Sequence, residues 1–535
     1  MPRSQKEGTA RGKRKDGGRG KTHLRPDTSN RLPPPSGIYP FWHGTIGMLP
    51  RAVRDVTKAF RLATLCPRLS TNLPSLILSP VASSSTDGYG DPRTTPTRRR
   101  LSHSAKWRPV RVLDEWVAKE ARPISLRQLM VFGRSLTEAR LISSANYVRT
   151  ELPTRIAHRI RDMQRLPYVV VTNPHISDVY ELYYNAFDTF RRIKEVKTLE
   201  DNERLCKEIF RMLRAHLTVI PKLSMGILEC SGLMPAAELD HFMNTILRSR
   251  ISRRVIAEQH LALTETFNSH WFSPGAKLSE SEFIGEVFIR CVAKDVIEHC
   301  AKAVQGLARS ANGPNTKVPE IRINGHLDAS FPYILSHLEY IIGELLRNSV
   351  QAVIEKYQEG TALPAPIEVT VCEAQQHVII RISDQGGGIP RDILPYLWSF
   401  GKGPLKNQHL ANLEQVPLMA ATLQELRADD GRHHSENASS SSSSKDPSDP
   451  KVESATLPYS GGGSGHESSL SSLSTRPPNL RLGMGLPLSR VYAEYWAGSL
   501  ELHSLEGYGV DAFLQISKLG NKNEQLTTRA AMDAV

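Results

Sequence analysis

Two polar side chains at helical spacing, Glu344 and Asn348, form the first candidate site for chemistry. Apolar residues recur every three to four positions through residues 338–353, which predicts a helix with one buried face. Residues four apart are neighbours on such a helix. An amide oxygen can bind a hard cation such as Mg²⁺, and a carboxylate can orient or deprotonate a nucleophile. By itself, this pair is equally consistent with an ordinary solvent-exposed helix face that has no function in catalysis.

The second motif is an acidic residue at the end of a predicted strand. Residues 378–383 are mostly apolar, and Asp384 and Gln385 follow them, before three glycines at 386–388. A carboxylate at this place can accept a hydrogen bond from an exocyclic amine, and glycines let a ligand lie against the backbone. The same residues also fit a tight turn capped by an aspartate.

The third motif is a pair of glycines, Gly483 and Gly485, before a predicted helix. Pro487 falls in the first turn of that helix, where proline is favoured. Free backbone amides at a helix N-terminus can bind phosphate. The glycines are not followed by the Gly-Lys-Ser or Gly-Lys-Thr of a Walker loop, so that class of phosphate site is excluded here.

In this order, the three motifs resemble the N, G1 and G2 boxes of the GHKL ATPase superfamily. The resemblance implies ATP bound between the motif helix and a sheet, below a mobile lid that joins the second motif to the third. A serine- and glycine-rich insertion, residues 428–476, falls inside this lid. Its composition predicts a disordered loop that cannot bury a core, and surface loops tolerate such length.

Four further segments resemble one branch of that superfamily. Residues 124–133, 144–159, 247–261 and 492–509 are similar to segments of the mitochondrial pyruvate and branched-chain α-keto acid dehydrogenase kinases. Outside the insertion, the resemblance runs from residue 107 to residue 518. It implies a protein-serine kinase of the mitochondrial matrix that uses ATP and Mg²⁺ to phosphorylate, and so inactivate, the E1α subunit of its complex. The lipoyl-bearing E2 core and a second copy of the chain, in a homodimer, would be its other partners.

The resemblance also assigns roles to residues of the three motifs. Glu344 would be the general base that orients the substrate hydroxyl, Asn348 would bind Mg²⁺, and Asp384 would recognise the adenine amino group. Catalysis would depend on positioning and charge neutralisation, without a covalent enzyme intermediate. The residues expected to line the nucleotide are Arg347, Asn348, Gln351, Asp384, Gly386, Gly388, Ser399, Phe400, Gly483, Met484, Gly485 and Leu486.

The sequence leaves the substrate open between the pyruvate and the branched-chain complexes. Tyr340 stands where pyruvate dehydrogenase kinases usually have a histidine, as it does in the branched-chain kinases. The tail after Lys518 lacks the Asp-Trp pair that pyruvate dehydrogenase kinases use in dimer contacts. These features favour the branched-chain branch slightly and do not decide the substrate.

Two other functions fit parts of the sequence. A scaffold could keep the ATP-binding fold without activity, but the pair Glu344 and Asn348 is intact. A two-component histidine kinase would need a phosphorylatable histidine followed by an acidic residue, whereas His158 and His260 are followed by arginine and leucine. A conventional protein kinase is excluded because the chain has no His-Arg-Asp or Asp-Phe-Gly motif.

Periodicity and composition predict two folded domains between flexible ends. A helical bundle is expected over residues 106–310, because apolar residues there recur at helical spacing. A GHKL-type α/β sandwich ATPase domain is expected over residues 311–518, followed by a flexible tail at 519–535. The predicted fold class is therefore multidomain, an α domain followed by an α+β domain.

The basic excess of the chain lies in a predicted disordered extension, residues 1–105. The first 110 residues contain 21 Lys and Arg against 6 Asp and Glu, whereas the whole chain has 68 and 55. The folded part is therefore nearly neutral, and no nucleic-acid surface is expected on it. Basic residues at helical spacing near residues 48–65 resemble a mitochondrial presequence. No apolar run is long enough to span a membrane, and the six cysteines lack zinc or redox spacing, as expected of free thiols.

Overall fold

The computed structural model describes residues 110–269, 283–313, 316–357, 363–419 and 480–526. All of them fall within the second of two units of the chain, residues 103–535. The predicted presequence and the insertion at 428–476 lie outside the described residues. Among the helices in the described ranges, none is long and apolar enough to cross a membrane.

The first described region is helical, as predicted. Its helices are α1 (Val110–Val117), α2 (Leu126–Gly133), α3 (Glu138–Gln164), α4 (Tyr168–Val171), α5 (Pro174–Arg191), α6 (Leu199–Ala215), α7 (Val219–Glu229) and α8 (Ala236–Asn268). Side-chain caps stabilise the N-termini of several of these helices. Ser125 and Gln128 form a capping box at α2, and Thr137 caps α3. The long helices α3 and α8 pack against each other, and α3 also packs against α5. Their buried apolar faces form one core.

The second region combines strands and helices. Its elements are β1 (Phe283–Ile284), β2 (Val287–Val292), α9 (Ala293–Asn312), β3 (Ile321–Gly325), β4 (Ser330–Ile334), α10 (Leu335–Tyr357), β5 (Ile367–Glu373), β6 (His377–Asp384), α11 (Lys406–Glu414), α12 (Gly485–Tyr495), β7 (Ser499–Leu505) and β8 (Gly509–Ser517). Five strands form a sheet in the order β3-β5-β6-β8-β7, in which only β3 and β5 are parallel. A smaller antiparallel sheet has the order β1-β2-β4. The predicted α domain followed by an α+β domain is confirmed.

The motif helix α10 lies at the centre of the second region. Its apolar residues Leu338, Ile341 and Leu346 are fully buried. The helix packs against α9 and α12 and contacts β6. This packing fixes the rotation of α10, and with it the direction in which the polar residues of the motif face.

The boundary expected at residue 310 is wrong. Strand β2 pairs with β4, and α9 packs against α10, so residues 287–312 belong structurally with the ATPase-like region. The boundary was placed too late because α9 is amphipathic, and its sequence pattern resembles that of a helix of the bundle. The pairing of β2 with β4, which joins residues about 40 positions apart along the chain, and the packing of α9 against α10 assign α9 to the second region.

The flexible tail expected from residue 519 is wrong for its first part. Residues 519–526 run back to the start of α2, where Arg127 N donates to Gly520 O at 2.8 Å and Glu524 N donates to Ile124 O at 2.8 Å. The Glu524 side chain is fully buried and pairs with Arg155 of α3 at 2.8 Å. A polar tail is therefore held by hydrogen bonds to both regions; residues 527–535 lie outside the described residues.

Candidate active site

A cavity of about 650 Å³ opens between α10, the end of β6 and the start of α12. Leu228 of α7 also lines it, so the helical region contributes to its wall. The structure brings nearly all the predicted site residues to this one cavity: Glu344, Arg347, Asn348, Gln351, Asp384, Gly386, Gly388, Ser399, Phe400, Gly483, Gly485 and Leu486. Met484 is the exception, because its side chain is turned into the core and is 1% exposed.

The carboxylate of Glu344 is buried where α10 meets the first turn of α12. Glu344 is 2% exposed, and its Oε1 lies 3.6 Å from Nη1 of Arg347, one turn along the helix. A Cβ at position 485 would lie 2.5 Å from Oε2 of Glu344, so only glycine fits there. The third motif therefore needs Gly485 because the Glu344 carboxylate of the first motif approaches its backbone.

Two amide side chains continue this polar face of α10 along the cavity. Asn348 is exposed to the cavity, one turn after Glu344. Gln351 donates from Nε2 to Glu355 Oε1 at 3.0 Å. Glu355 also pairs with Arg481, whose Nη2 lies 2.6 Å from Oε2. Sequence reasoning missed both Glu355 and Arg481 as cavity residues, although the continued helical spacing from Asn348 through Gln351 was a signal for Glu355.

Asp384, at the end of β6, also lines the cavity and is 5% exposed. Its Oδ2 accepts a hydrogen bond from Ser349 Oγ at 2.8 Å, and its Oδ1 accepts one from Gly386 N at 2.9 Å. Burial raises the pKa of this carboxyl group, and the two hydrogen bonds oppose that shift. Ser349, which sequence reasoning missed, therefore orients Asp384 from the motif helix.

The glycines after Asp384 are required by close packing. A Cβ at Gly386 would lie 2.6 Å from Cβ of Ala352 on α10. Gly388 has a φ of 76° in the left-handed region, and its Cβ would lie 2.3 Å from Leu505 O. Because these positions are glycines, the turn after Asp384 can pack closely between α10 and β7 without side chains that would fill the cavity.

The start of α12 and three lysines supply the cavity with groups that attract an anion. The N-terminus of α12 faces it at Gly485 and Leu486, and the first amides of a helix carry partial positive charge and lack intrahelical acceptors. Lys356, Lys402 and Lys406 line the same cavity. Such an arrangement suits an anion, and a polyphosphate in particular.

The two histidines considered as phosphate acceptors are engaged in the helical region. His260 is 0% exposed, and its Nδ1 lies 3.1 Å from Ser144 Oγ. Burial lowers the pKa of His260 to about 4, so the ring is neutral at physiological pH. His158 Nε2 lies 2.8 Å from Lys119 O. Neither histidine lies at the cavity, which argues against the histidine kinase alternative.

The fold and the cavity define a GHKL-type ATPase domain, and comparisons with known proteins agree. Residues 334–440 match the model of the histidine kinase-, DNA gyrase B- and HSP90-like ATPases. The domain therefore binds ATP.

Comparison of the rest of the chain narrows the class to one family. Residues 123–288 match the model of the mitochondrial branched-chain alpha-ketoacid dehydrogenase kinases. The chain is 34% identical over 433 residues to the mitochondrial [pyruvate dehydrogenase (acetyl-transferring)] kinase 2 of Saccharomyces cerevisiae. The aligned residues cover 78% of this chain and 85% of that protein. It is 27% identical to the corresponding mitochondrial kinase of Arabidopsis thaliana, over 77% of this chain and 95% of that protein. The chain belongs to the family of mitochondrial pyruvate and branched-chain α-ketoacid dehydrogenase kinases, and is a mitochondrial protein kinase.

Proposed function

We propose that this chain transfers the γ-phosphate of ATP to a serine of the E1α subunit of an α-keto acid dehydrogenase complex and thereby inactivates that complex. The arrangement of Glu344 and Asn348 carries the proposal. Both side chains line the cavity from one face of α10, and the buried Asp384 lines the same cavity. An inactive scaffold would have no need for a buried carboxylate held at the phosphate end of the cavity.

In the proposed mechanism, the serine oxygen attacks the γ-phosphate of ATP, Glu344 accepts the serine proton, and ADP leaves. The carboxylate lies beside the N-terminus of α12, and this proximity puts the base near the expected position of the phosphate. Asp384 accepts a hydrogen bond from the adenine amino group. The helix N-terminus, Lys402 and Lys406 stabilise phosphate charge, so the residues act by positioning and electrostatics.

Mg²⁺ fits this site as an ion held mainly by phosphate. Within the described ranges, no group of three or more His, Cys, Asp or Glu side chains is arranged to hold a metal. Asn348 offers an amide oxygen that is exposed to the cavity, and Mg²⁺ often binds through one or two protein ligands together with phosphates and water. The ion would neutralise phosphate charge, and Asn348 is the residue that would hold it.

Replacing Asn348 with alanine is expected to weaken binding of MgATP by about tenfold, because the ion loses its protein ligand. Isothermal titration calorimetry would measure the affinity with excess Mg²⁺ and again with excess EDTA. The binding of metal-free ATP serves as the control and should differ little between the variant and wild type. Equal losses under both conditions would show that Asn348 acts on the nucleotide and not on the ion.

The substrate complex that we propose is the pyruvate dehydrogenase complex. The relatives from Saccharomyces cerevisiae, Arabidopsis thaliana and Rattus norvegicus are all named as pyruvate dehydrogenase kinases. The branched-chain complex remains the second candidate, because residues 123–288 match the branched-chain kinase model and Tyr340 takes the place of a histidine.

Phosphate transfer from labelled ATP to purified E1 tests both the activity and the substrate. We expect labelling of pyruvate dehydrogenase E1α at a serine, with a rate at least about tenfold above that on branched-chain E1α. A reversed preference would assign the chain to the branched-chain complex. Absence of label on both proteins would leave the inactive scaffold as the better description.

The partners and location follow from the same proposal. A kinase of a multienzyme complex must reach many E1 subunits, so we propose that the chain binds the lipoyl-bearing E2 core in the mitochondrial matrix and does so as a homodimer. The basic segment near residues 48–65 would direct import.

A further inference from the structure

One wall of the cavity, residues 398–402, is tied to the helical region. Ser399, Phe400 and Lys402 line the cavity, and this stretch is neither helix nor strand. Its backbone groups therefore need partners outside regular structure. Phe400 N donates to Asp240 Oδ1 at 2.8 Å, and Ser399 Oγ donates to the same oxygen at 3.1 Å. Asp240 belongs to α8, so a residue of the first region holds a wall of the site in the second.

Further contacts orient the same wall. Lys402 N donates to Ser399 Oγ at 3.2 Å, so the Ser399 hydroxyl accepts one hydrogen bond and donates another. A Cβ at Gly401 would lie 3.1 Å from Cγ2 of Ile227 on α7, which shows how closely the segment lies against the helical region. Phe400 is 4% exposed. The hydrogen bonds and the apolar packing together allow few positions for Ser399 and Phe400.

Asp240 is placed to support the cavity without facing a ligand. The wall residues, and not Asp240 itself, line the cavity. Its Oδ1 instead accepts hydrogen bonds from two donors of the wall. Hydrogen bonds to a charged acceptor are stronger than those between neutral groups, so the Asp240 carboxylate holds the 398–402 wall in place.

A second contact from α8 reaches another wall of the site. Arg248, eight residues after Asp240 and therefore about two turns along the helix, donates from Nη2 to Glu494 Oε2 at 2.8 Å. Glu494 lies near the end of α12, whose first residue, Gly485, lines the cavity. The helix α8 thus supports both the 398–402 wall and the helix that presents the phosphate-binding end.

We propose that Asp240 is a positioning residue for the nucleotide: it fixes Ser399 and Phe400 against α8, so that the affinity for ATP depends on the helical region. This inference rests on the proposed function, since it takes the cavity to be the nucleotide site. The Asp240 carboxylate touches neither ATP nor substrate. It acts through the wall, and a shift of the N-terminal end of α8 therefore changes the shape of the cavity.

Asp240→Ala in the full chain tests the proposal, with Asp240→Asn as the conservative variant and Glu238→Ala as the matched control. Glu238 is an exposed acid two residues earlier on α8. Affinity for MgATP is measured by calorimetry, and KM for ATP and kcat are measured with E1 as substrate. Asp240→Ala should weaken MgATP binding and raise KM for ATP by about tenfold, which corresponds to the loss of a charge-assisted hydrogen bond. At saturating ATP, kcat should stay close to the wild-type value, because bound nucleotide restores the wall.

Asp240→Asn should lose less affinity than Asp240→Ala, because its amide oxygen can still accept from Phe400 N. Glu238→Ala should match wild type. Equal affinity of Asp240→Ala and Glu238→Ala would overturn the proposal, as would a fall in kcat with unchanged KM. If Asp240→Ala does not fold, Ser399→Ala removes one of the two donors and should raise the dissociation constant by about threefold; an unchanged value would overturn the proposal. Wild-type protein that does not bind MgATP would instead refute the proposed site, and this inference with it.

Discussion

Glu344→Gln is expected to lower the rate of phosphate transfer by about 10²–10⁴-fold while MgATP still binds with near wild-type affinity. Glutamine has nearly the same shape as glutamate, so it can occupy the space beside Gly485 and Arg347. Its amide cannot accept a proton, and the substrate serine would have to attack without a base. Single-turnover transfer to E1, together with calorimetry of MgATP binding, separates the two effects.

Glu298→Gln is the matched control for this experiment. Glu298 lies on α9, which packs against α10, and makes a surface ion pair with Lys294 at 3.5 Å. The same chemical change at that position should leave transfer unchanged. A Glu344→Gln protein that phosphorylates E1 at the control rate would exclude Glu344 as the base. Loss of MgATP binding would mean that Glu344 shapes the nucleotide site instead.

Glu524→Ala is expected to lower the free energy of unfolding by about 3–5 kcal/mol, because it leaves a buried arginine without one of its partners. The fully buried Glu524 side chain pairs with Arg155 Nη2 at 2.8 Å, and it also accepts hydrogen bonds from Ile124 N at 3.1 Å and from the Tyr495 hydroxyl. Burial and this carboxylate raise the pKa of Tyr495, so that its hydroxyl remains protonated and donates. Glu151 would remain beside Arg155 but cannot replace the contacts to Ile124 and Tyr495.

Urea unfolding followed by circular dichroism measures this loss as a shift of the transition midpoint. Glu203→Ala is the matched control, since Glu203 pairs with Lys207 on the exposed face of α6 at 2.9 Å. Exposed ion pairs contribute little, so the control should unfold close to wild type. If both variants unfold at the same urea concentration, residues 519–526 do not hold the two regions together.

Parts of the three motifs were readable from the sequence because they depend on short-range geometry. Glu344 and Asn348 share a helix face by virtue of a four-residue spacing, and Pro487 falls in the first turn of α12 as predicted. The strands β5 and β6 also follow from alternating apolar residues. Patterns of this kind are set by residues within one or two turns of each other, and no tertiary contact is needed to recognise them.

The partners of the motif residues were not readable, because they come from distant parts of the chain. Ser349 and Asp384 are 35 residues apart, Glu355 and Arg481 are 126 apart, and Asp240 and Phe400 are 160 apart. A spacing of this size carries no periodic signal, and an exposed-looking aspartate on α8 resembles any other polar residue of a helix surface. These contacts exist only because the packing of α8, α10 and α12 brings their polar faces together.

The sequence by itself determined the class of domain and most of the motif residues that line its cavity, since motif order and local spacing can be read along the chain. The tertiary structure decided which region each element belongs to and what holds the site in shape. It assigned β2 and α9 to the ATPase region through the pairing of β2 with β4 and the packing of α9 against α10, and it buried Glu524 against Arg155, 369 residues away. The physical reason is that a polar group which loses its water on burial needs a hydrogen-bond or ion-pair partner. Which polar groups become buried, and which partners they meet, is decided by the packing of the chain. The sequence specifies only which partners are available.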